Sequence, residues 1–383
     1  MKLLIVHNLY KSDTIGGEDL VFQRELTWLK ERLGDDKVLS YSVSNDHLNK
    51  MKLLYTLWGD RTHYQNIYNL VKKEKIDIVH VHNFFPMLSP SVMLAAKKAG
   101  AVVVQTLHNF RWWCLSGLFY LEKQGFCQKC LSYQMAWPGV KNRCYRKSLL
   151  QSFLAGLAFW WYKRKRVKEA IDYYFVLSKT QVDLLKNGLI PPQKLILKSN
   201  AILETAPPTP KAKKGYLYVG RLEEAKGIKL LLKVWEKLDK EYQLTIIGSG
   251  PLEKSLTMQY QKDNIHFLGN CPSDGVIQHM QKAKFLIHPG MAVETFGLTI
   301  LEAMSHGTPV IGLNIGTRSE WIQDGQNGYL CSPHDLGETI QKSAHCDNYE
   351  QMVAHAYHCA KPYFLNEVMN KQLTIYEKIL NHA

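Results

Sequence analysis

Residues 285–305 read FLIHPGMAVETFGLTILEAMS, and this stretch contains one unit of the pattern that decides the fold. The apolar run at 285–288 predicts a buried strand, and the segment 298–305 predicts the helix that follows it. Short apolar strands alternate with helical patterns in the same way along the whole chain. This alternation predicts an α/β fold with parallel sheets covered by helices.

A proline-rich stretch at 204–214 divides the chain into two alternating halves and has the composition of a stiff linker. We therefore predict two doubly wound, Rossmann-like domains that face each other across a cleft. The expected boundaries are 1–205, with a cysteine-rich insert at about 110–147, and 206–360. A C-terminal helix within 361–383 is expected to pack back toward the first domain.

The expected elements are short. Strands are predicted at 3–6, 76–82, 101–106, 173–177, 216–219, 243–247, 265–267, 285–288, 309–313 and 328–330. Helices are predicted at 18–33, 90–99, 228–238 and 298–305.

Composition restricts the function classes. Of the 383 residues, 46% are hydrophobic and 21% charged, which excludes a disordered or fibrous protein. The net charge of +14 lies entirely in residues 1–205, which have 30 basic and 16 acidic residues, whereas 206–383 have 18 of each. The first half is therefore expected to attract anionic lipid, nucleic acid or phosphorylated substrates.

The lengths of the apolar segments indicate the cellular location of the protein. The run at 3–6 is shorter than the apolar region of a secretory signal peptide. The longest apolar stretch, 153–162, is about half of the roughly 20 residues that span a bilayer. We therefore expect a cytoplasmic protein that is neither exported nor transmembrane.

Glycine-rich turns between strands and helices are candidate phosphate sites, because glycine lets backbone N–H groups approach an anion. Gly16 and Gly17 occupy such a turn in the first half. In the second half, the loop GRLEEAKG adds Arg221 and Lys226, whose cations can grip phosphate oxygens. The alternatives are an ordinary turn and a solvated basic loop. The turn at Gly248 has proline in place of the third glycine of the dinucleotide fingerprint, which disfavours nicotinamide binding.

Two carboxylates, Glu294 and Glu302, stand on either side of Phe296 and Gly297 at the start of the helix predicted at 298–305. The free N–H groups of the first helical turn can bind a pyrophosphate. The carboxylates can accept hydrogen bonds from sugar hydroxyls. The alternative, a surface helix with two solvated glutamates, fits the apolar neighbours poorly.

Together these motifs resemble the family-4 retaining glycosyltransferases of the GT-B fold, and in particular enzymes that build capsule or O-antigen. The resemblance covers nearly the whole chain and is more specific in the second half. It is carried by Gly16-Gly17, the Gly-Arg-Leu…Lys-Gly loop at 220–227, Gly-Ser-Gly-Pro-Leu at 248–252, Phe-Leu-Gly at 267–269 and Glu-x-Phe-Gly-x4-Glu at 294–302.

The resemblance implies a role for each matched residue. Arg221 and Lys226 would hold the donor diphosphate, and Glu302 would bind the nucleotide ribose. Glu294 would contact the donor sugar. His108 would be the first-domain catalytic histidine beside that sugar, with a structural hydrogen bond as the alternative. The other implied contacts to the nucleotide sugar are Gly16, Gly17, Gly220, Gly248, Phe267, Leu268, Phe296, Gly297 and Leu298.

The donor is expected to be a UDP- or GDP-linked sugar, and the motifs leave the base open. The sequence contains no Asp-x-Asp triplet, the usual carboxylate ligand set for a divalent ion beside a diphosphate. Arg221, Lys226 and helix amides can neutralise the departing nucleoside diphosphate instead, so no catalytic metal is expected. The resemblance implies retention by attack on the same face of the sugar, without a protein nucleophile.

The segment 141–168 contains nine Lys or Arg and no acidic residue. Its apolar residues at 150, 153, 154, 157, 160 and 161 have helical spacing, so a helix with basic ends is expected to lie in an anionic membrane interface. The alternative is a core helix with a solvated end. The membrane position fits a glycan or polyprenyl-diphosphate-linked acceptor and a peripheral location on the inner face of the plasma membrane.

Four cysteines, Cys114, Cys127, Cys130 and Cys144, lie close together in the sequence. The Cys-x-x-Cys pair with single cysteines on either side predicts a structural zinc site. Four reduced thiols or two disulfides are the alternatives.

Two other function classes remain open. A sugar phosphorylase or synthase would keep the same fold. A basic zinc-ribbon protein that binds nucleic acid would explain the charge but not the Glu-x-Phe-Gly-x4-Glu segment, so no nucleic-acid partner is expected.

Overall fold

The computed structural model describes residues 1–10, 16–47, 59–122, 124–186, 189–208 and 213–381. Residues 11–15 of the first glycine-rich loop and 209–212 of the predicted linker lie outside these ranges. The chain divides into two compact units. The first unit contains Met1–Phe119, Gln128–Ala201 and Leu365–Ala383, and the second contains Tyr120–Cys127 and Ile202–Phe364.

The first unit is built on a six-stranded sheet in which every neighbouring pair is parallel. Its strands are β1 (Leu3–Leu9), β2 (Val38–Ser44), β3 (Ile78–Asn83), β4 (Val102–Thr106), β7 (Tyr173–Val176) and β8 (Leu195–Leu197). Their order is β2-β1-β3-β4-β7-β8. From β1 the chain therefore adds β2 on one side and β3 and the later strands on the other side. Such a change of side is where doubly wound sheets form their ligand crevice.

Helices of the first unit are α1 (Gly17–Leu33), α2 (Arg61–Glu74), α3 (Ser91–Ala99), α4 (Trp137–Lys141), α5 (Leu149–Arg164), α6 (Lys179–Lys186) and, at the end of the chain, α14 (Leu365–Asn381). Helix α2 begins at a capping residue, Asp60, whose carboxylate accepts from the backbone N–H groups of Thr62 and His63 at 2.7 and 3.1 Å. Helix α3 ends at Gly100, which adopts the left-handed conformation.

The core of the first unit joins elements from both ends of the chain. Leu3 and Ile5 of β1 pack in one cluster with Leu29 of α1 and with Met369 and Tyr376 of α14. The C-terminal helix therefore completes the apolar core beside the first strand.

The second unit has a parallel sheet of the same kind and a short antiparallel hairpin, β5 (Tyr120–Leu121) and β6 (Gly125–Phe126). The sheet has the order β11-β10-β9-β12-β13-β14. Its strands are β9 (Tyr216–Val219), β10 (Leu244–Ile247), β11 (Ile265–Phe267), β12 (Phe285–His288), β13 (Val310–Leu313) and β14 (Gly328–Cys331). Its helices are α7 (Ile228–Trp235), α8 (Glu253–Tyr260), α9 (Ser273–Lys282), α10 (Leu298–Ser305), α11 (Arg318–Trp321), α12 (Leu336–Ala344) and α13 (Tyr349–Ala360).

The loops at the carboxyl edge of the second sheet touch backbone to backbone. Gly227 has φ 73°, and a Cβ there would lie 1.8 Å from the carbonyl oxygen of Pro289. Gly248 has φ 131°, and a Cβ there would lie 2.1 Å from the carbonyl oxygen of Gly220. Only glycine fits these positions. The loops after β9, β10 and β12 are therefore fixed against each other.

The predicted α/β class, with two parallel sheets, is confirmed. The ten predicted strands all occur, and the predicted helices occur with ends shifted by up to three residues. Strands β2 and β8 and the hairpin were not predicted. Strand β2 alternates polar and apolar residues at an edge of the sheet, and β8 has only three residues. Among the described residues, no helix has the length and apolar character needed to cross a bilayer.

Candidate active site

A buried carboxylate and a partly exposed lysine meet at the centre of the second sheet. Lys226 follows β9 and Glu294 follows the neighbouring strand β12, and their Nζ and Oε1 atoms are 2.7 Å apart. The exposed fraction is 14% for the Glu294 side chain and 37% for Lys226. Burial would raise the pKa of Glu294, but the charges of Lys226, His288 and Arg318 hold that pKa well below its usual value. The carboxylate is therefore ionised.

Two residues that the sequence did not single out lie behind this carboxylate. His288, the last residue of β12, has its Nε2 atom 3.6 Å from Oε2 of Glu294. Arg318 donates from Nε to Nδ1 of His288 at 2.8 Å and is fully buried. Burial lowers the pKa of His288, so its ring is neutral. A histidine ending an apolar strand and an arginine after a Gly-Thr turn are the signals that could have identified them.

The predicted phosphate-binding cation Arg221 lies on the same edge of the sheet. Its side chain is 53% exposed, and its Nε atom is 3.4 Å from Oε2 of Glu223. The preceding residue, Gly220, is fixed against the neighbouring loop. Its N–H donates to the carbonyl of Ile247 at 3.0 Å, and Gly248 packs against it. The guanidinium therefore remains accessible to a ligand from the solvent side.

Helix α10 begins beside Glu294. Gly297 caps it with φ 87°, and Leu298 is its first residue. Phe296 is buried, and its carbonyl oxygen accepts from Nε1 of Trp321 at 2.5 Å. The first N–H groups of a helix lack intrahelical partners and carry partial positive charge. Glu302 lies in the second turn of this helix and is partly buried.

The residues expected near the base follow β10 and β11. Leu268 is 42% exposed, whereas Phe267 packs partly against the core. The N–H of Gly248 donates to the carbonyl of Gly269 at 2.8 Å, which ties the two loops together. An exposed leucine beside a fixed glycine turn is suited to cover an aromatic base.

In the first unit, His108 lies just beyond the carboxyl end of β4 and lines a small cavity with Asn109 and Arg111. Its Nε2 atom is 3.1 Å from Nδ1 of His82, and the two rings stack. Burial lowers the pKa of His108 to about 3. The ring is therefore neutral at physiological pH and acts as a hydrogen-bonding group rather than a cation.

The glycine pair lies at the start of α1. Gly16 is the capping residue, and a Cβ there would lie 2.8 Å from the ring of Tyr10. Gly17 is exposed. The carboxylate of Glu18 accepts from the Tyr10 hydroxyl at 3.2 Å and from the amide of Asn109 at 3.0 Å. This contact brings the glycine turn of β1 to the residue next to His108.

A second buried carboxylate lies deeper in the first unit. Glu25 forms an ion pair with Lys198, and both side chains are 1% exposed. The other oxygen of Glu25 accepts from the amide of Gln372 at 3.0 Å. Burial would raise the pKa of Glu25, but the Lys198 charge lowers it overall. His82 extends the network, with Nε2 3.5 Å from Oε2 of Glu25.

In the described part of the chain, one group of His, Cys, Asp or Glu residues has metal-ligating geometry: Glu25, His80 and His82. The Lys198 ammonium already neutralises Glu25, and both ring nitrogens of His80 bond to neighbours, the Tyr376 hydroxyl at 2.6 Å and the Thr106 hydroxyl at 2.7 Å. This group is a hydrogen-bonded core network, and it does not include any of the four predicted zinc ligands. Those are Cys114, Cys127, Cys130 and Cys144.

Helix α5, expected to lie in a membrane interface, has apolar residues on both its buried and its exposed faces. Its inner face is made of small or aromatic residues: Ser152, Ala155, Gly156, Ala158, Phe159 and Tyr162. Large apolar residues remain outside, with exposed fractions of 67% for Leu150 and 37% for Phe153. Trp137 of α4 lies 6.2 Å from the Phe153 ring. We call Tyr133, Trp137, Leu149, Leu150 and Phe153 the apolar patch; all are exposed.

The two sheets and their carboxyl-edge sites define the protein as a GT-B fold with two Rossmann-like domains. Residues 32–202 match the family model "Glycosyltransferase Family 4", and residues 202–357 match "Glycosyl transferases group 1". The chain belongs to the family-4 GT-B glycosyltransferases, as its motifs predicted. The family resemblance inferred from the sequence is thus confirmed.

Individual relatives are more distant. D-rhamnosyltransferase WbpZ of Pseudomonas aeruginosa is 31% identical over 123 residues, 31% of this chain and 32% of that protein. Sucrose-phosphate synthase from Thermosynechococcus elongatus has a TM-score of 0.72 at 16% identity, with 100% of both chains covered. Anabaena Alr3699/HepE in complex with UDP and glucose has a TM-score of 0.65 at 14% identity, with 98% of this chain and 99% of that chain covered.

These likenesses carry different weight. The first three curated relatives are matched over only 25% to 36% of their own length. These two solved structures match 98% to 100% of the chain at 14% to 16% identity, and they establish the fold alone.

Proposed function

We propose that the protein transfers a sugar from a nucleoside-diphosphate donor to a glycan or lipid-linked glycan acceptor. One observation carries the proposal: the Lys226–Glu294 pair lies at the junction of β9 and β12, and Arg221 is exposed on the same loop as Lys226. Cations bind the negative oxygens of a diphosphate, and a carboxylate accepts hydrogen bonds from the hydroxyl groups of a sugar. The site places both at the point where doubly wound sheets bind ligands.

The chemistry is stabilisation of a departing diphosphate. Arg221 and Lys226 are placed to pair with phosphate oxygens, and the start of α10 adds N–H groups with partial positive charge. These donors act where charge develops as the bond from the sugar C1 to the phosphate oxygen breaks. Because this chain supplies the positive charge itself, transfer is proposed not to require a divalent metal.

Retention is proposed to follow from attack on the same face. The acceptor oxygen forms its bond to C1 on the side from which the diphosphate leaves. The proton of the acceptor hydroxyl passes to the departing phosphate oxygen, so no protein nucleophile is consumed. His108 is neutral, and its role is to bind the donor sugar as a hydrogen-bonding partner.

HepE has been solved with UDP and glucose, and WbpZ is named as a D-rhamnosyltransferase, which supports a nucleotide-linked sugar as donor. A UDP- or GDP-linked donor and surface-polysaccharide synthesis are our proposals for this chain. A panel of UDP- and GDP-sugars should identify the donor by thermal shift. A ligand at about 100 times its Kd stabilises by about 2.7 kcal/mol. Transfer to a polyprenyl-diphosphate oligosaccharide is then followed with EDTA and with added Mn²⁺.

The decisive variants remove the two cations. The double variant Arg221→Ala, Lys226→Ala should lose donor binding and transfer while remaining folded. Lys233→Ala, Lys237→Ala is the matched control, because it removes two exposed cations from the same unit. Transfer that survives in the first double variant, or that requires a divalent metal, would contradict the proposal. A free disaccharide or a sugar 1-phosphate as product would indicate a synthase or phosphorylase instead.

The acceptor side is proposed to lie on an anionic membrane, with the protein peripheral on the inner face of the plasma membrane. The apolar patch supports this, because its side chains would be inside if α5 were an ordinary core helix. Basic residues follow at its end, where Arg164 lies over the Trp160 ring and Lys165 over Trp161. Aromatic side chains with flanking cations are typical of interfacial helices.

Vesicle binding tests this surface. The protein should bind vesicles with anionic lipid and leave them at high salt. Leu150→Glu, Phe153→Glu should abolish binding. Met258→Glu is the control, because Met258 is an exposed apolar residue outside the patch, in the second unit. Binding that is unchanged in the Leu150, Phe153 variant would exclude the patch.

A structural zinc ion remains a prediction. Cys114 and Cys130 are buried and Cys127 and Cys144 are partly buried. Their proposed role is to brace the insert, and four thiolates would leave no open position for catalysis. Elemental analysis should find about one zinc per chain, lost in Cys127→Ser, Cys130→Ser. A fully active, metal-free preparation would refute the site.

A further inference from the structure

We propose that His288 and Arg318 are positioning residues for Glu294: they hold its carboxylate by one oxygen and leave the other for the donor sugar. This inference rests on the proposed function. It assigns two buried residues a part in sugar recognition that the motifs do not include. All of these residues belong to the second unit.

The contact with Arg318 determines which ring nitrogen of His288 carries the proton. Arg318 donates from Nε to Nδ1 of His288 at 2.8 Å. A guanidinium is always protonated and can only donate, so Nδ1 must be the acceptor. The proton of the neutral ring is therefore on Nε2. This N–H faces Oε2 of Glu294, 3.6 Å away.

Arg318 is itself immobile. Its Nη1 donates to the carbonyl of Ile315 at 2.6 Å, and its Nη2 donates to that of Ala292 at 3.4 Å. A Cβ at Gly290 would lie 2.3 Å from Nη2, so glycine there makes room for the guanidinium. A buried arginine bonded to a histidine and two carbonyls fixes the ring orientation.

The two oxygens of Glu294 face different partners. In the described structure, Oε1 contacts Lys226 and Oε2 faces His288. Lys226 is partly exposed and is the cation proposed to bind the diphosphate. Once its ammonium turns to phosphate, Oε1 can accept a sugar hydroxyl. His288 and the Arg318 charge behind it then keep the buried carboxylate ionised and oriented.

The test compares His288→Leu with His288→Gln. Leucine removes the hydrogen bond from Arg318 and the Nε2–H that faces Glu294, whereas glutamine can accept from Arg318 and direct an amide N–H at Glu294. His266→Leu is the matched control, because His266 is an exposed histidine on β11 of the same unit. Transfer, donor-sugar affinity and affinity for the nucleoside diphosphate alone are measured for each, together with thermal unfolding.

We expect His288→Leu to lower kcat/KM by about 10- to 100-fold, as does the loss of a residue that orients a metal-ligating side chain through a hydrogen bond. Affinity for the nucleoside diphosphate should be unchanged, and His288→Gln should recover most of the loss. The acid limb of the pH–rate profile should move to higher pH in the leucine variant. The groups that face Glu294 are Lys226, His288, Arg318 and the Tyr218 hydroxyl, and only His288 is changed.

The outcomes separate the two proposals. If Glu294→Gln leaves transfer intact, the proposed role of Glu294 fails. If Glu294→Gln impairs transfer but His288→Leu equals wild type, the positioning role is overturned. Should the leucine variant not fold, histidine ¹⁵N spectra of the wild type decide. They should show the Nε2–H tautomer at pH 7, and an Nδ1–H tautomer or an imidazolium at that pH would overturn the inference.

Discussion

Each unit contains a buried glutamate paired with a lysine and backed by a histidine, and the two sets differ in exposure. In the first unit, Glu25 and Lys198 are both 1% exposed. In the second, Glu294 is 14% exposed and Lys226 37%. The same chemical grouping is thus enclosed in one unit and open to solvent in the other.

The difference indicates what each pair can do. An enclosed lysine has no route to another partner, so the Glu25–Lys198 pair can only hold the core together. A lysine that is one-third exposed can exchange a carboxylate for a phosphate with little structural change. Exposure of the cation therefore separates a structural pair from one suited to ligand binding.

The largest expected effect is on stability. Lys198→Met leaves Glu25 buried without a counter-charge and should lower the free energy of unfolding by about 3–5 kcal/mol. Lys226→Met should lower it by less than about 1 kcal/mol, because solvent screens that pair. Urea denaturation followed by circular dichroism measures both. Equal losses would remove the distinction between the two pairs.

The next effect is on catalysis. Lys226→Met should reduce the rate of transfer by about 100- to 1000-fold, as for loss of one charge-stabilising donor. The variant should still show the wild-type melting profile. A rate within threefold of wild type would place the leaving-group cation elsewhere.

A smaller effect is expected from pH. Burial lowers the pKa of His80, His82 and His108 in the first unit. Below about pH 6.5 the unfolded chain binds protons that these folded histidines cannot, so stability falls as pH falls. Each proton contributes up to about 1.4 kcal/mol per pH unit.

The second unit has fewer such groups, His288 and the partly exposed His306. Hydrogen exchange at pH 7 and pH 5 should therefore show protection lost first in β1, β3 and β4. Earlier loss in β9 and β12 would contradict this order.

The smallest expected effect on stability comes from removing the charge of Glu223, which lies beside Arg221. Glu223 is on an exposed loop, so Glu223→Gln should change the free energy of unfolding by less than about 0.5 kcal/mol. Transfer should be retained. A large loss of transfer would show that Glu223, rather than Arg221 alone, contacts the substrate.

The sequence was sufficient for most strands of the two sheets, because these strands are short runs rich in apolar residues. It was also sufficient to name Lys226 and Glu294, which flank recognisable loops. It did not predict β2, whose alternation of polar and apolar residues is typical of a half-buried edge strand.

The buried partners of the two glutamates could not be predicted for a different reason. His288 and Arg318 are 30 residues apart, and Glu25 and Lys198 are 173 residues apart. The local sequence pattern does not indicate which residues so far apart in the chain lie next to each other in the fold. The one available signal was polar: His80 and His82 interrupt an otherwise apolar strand, and buried polar residues require partners.

The place of α14 has a consequence for how the protein is made. Tyr376 follows its partner His80 by 296 residues, and at about 5–20 residues per second synthesis separates them by about 15–60 s. Gln372 follows its partner Glu25 by 347 residues, so synthesis separates these two by about 17–70 s. The second unit needs only 202–364 and the short hairpin. The unit that emerges first from the ribosome is therefore the last to be completed.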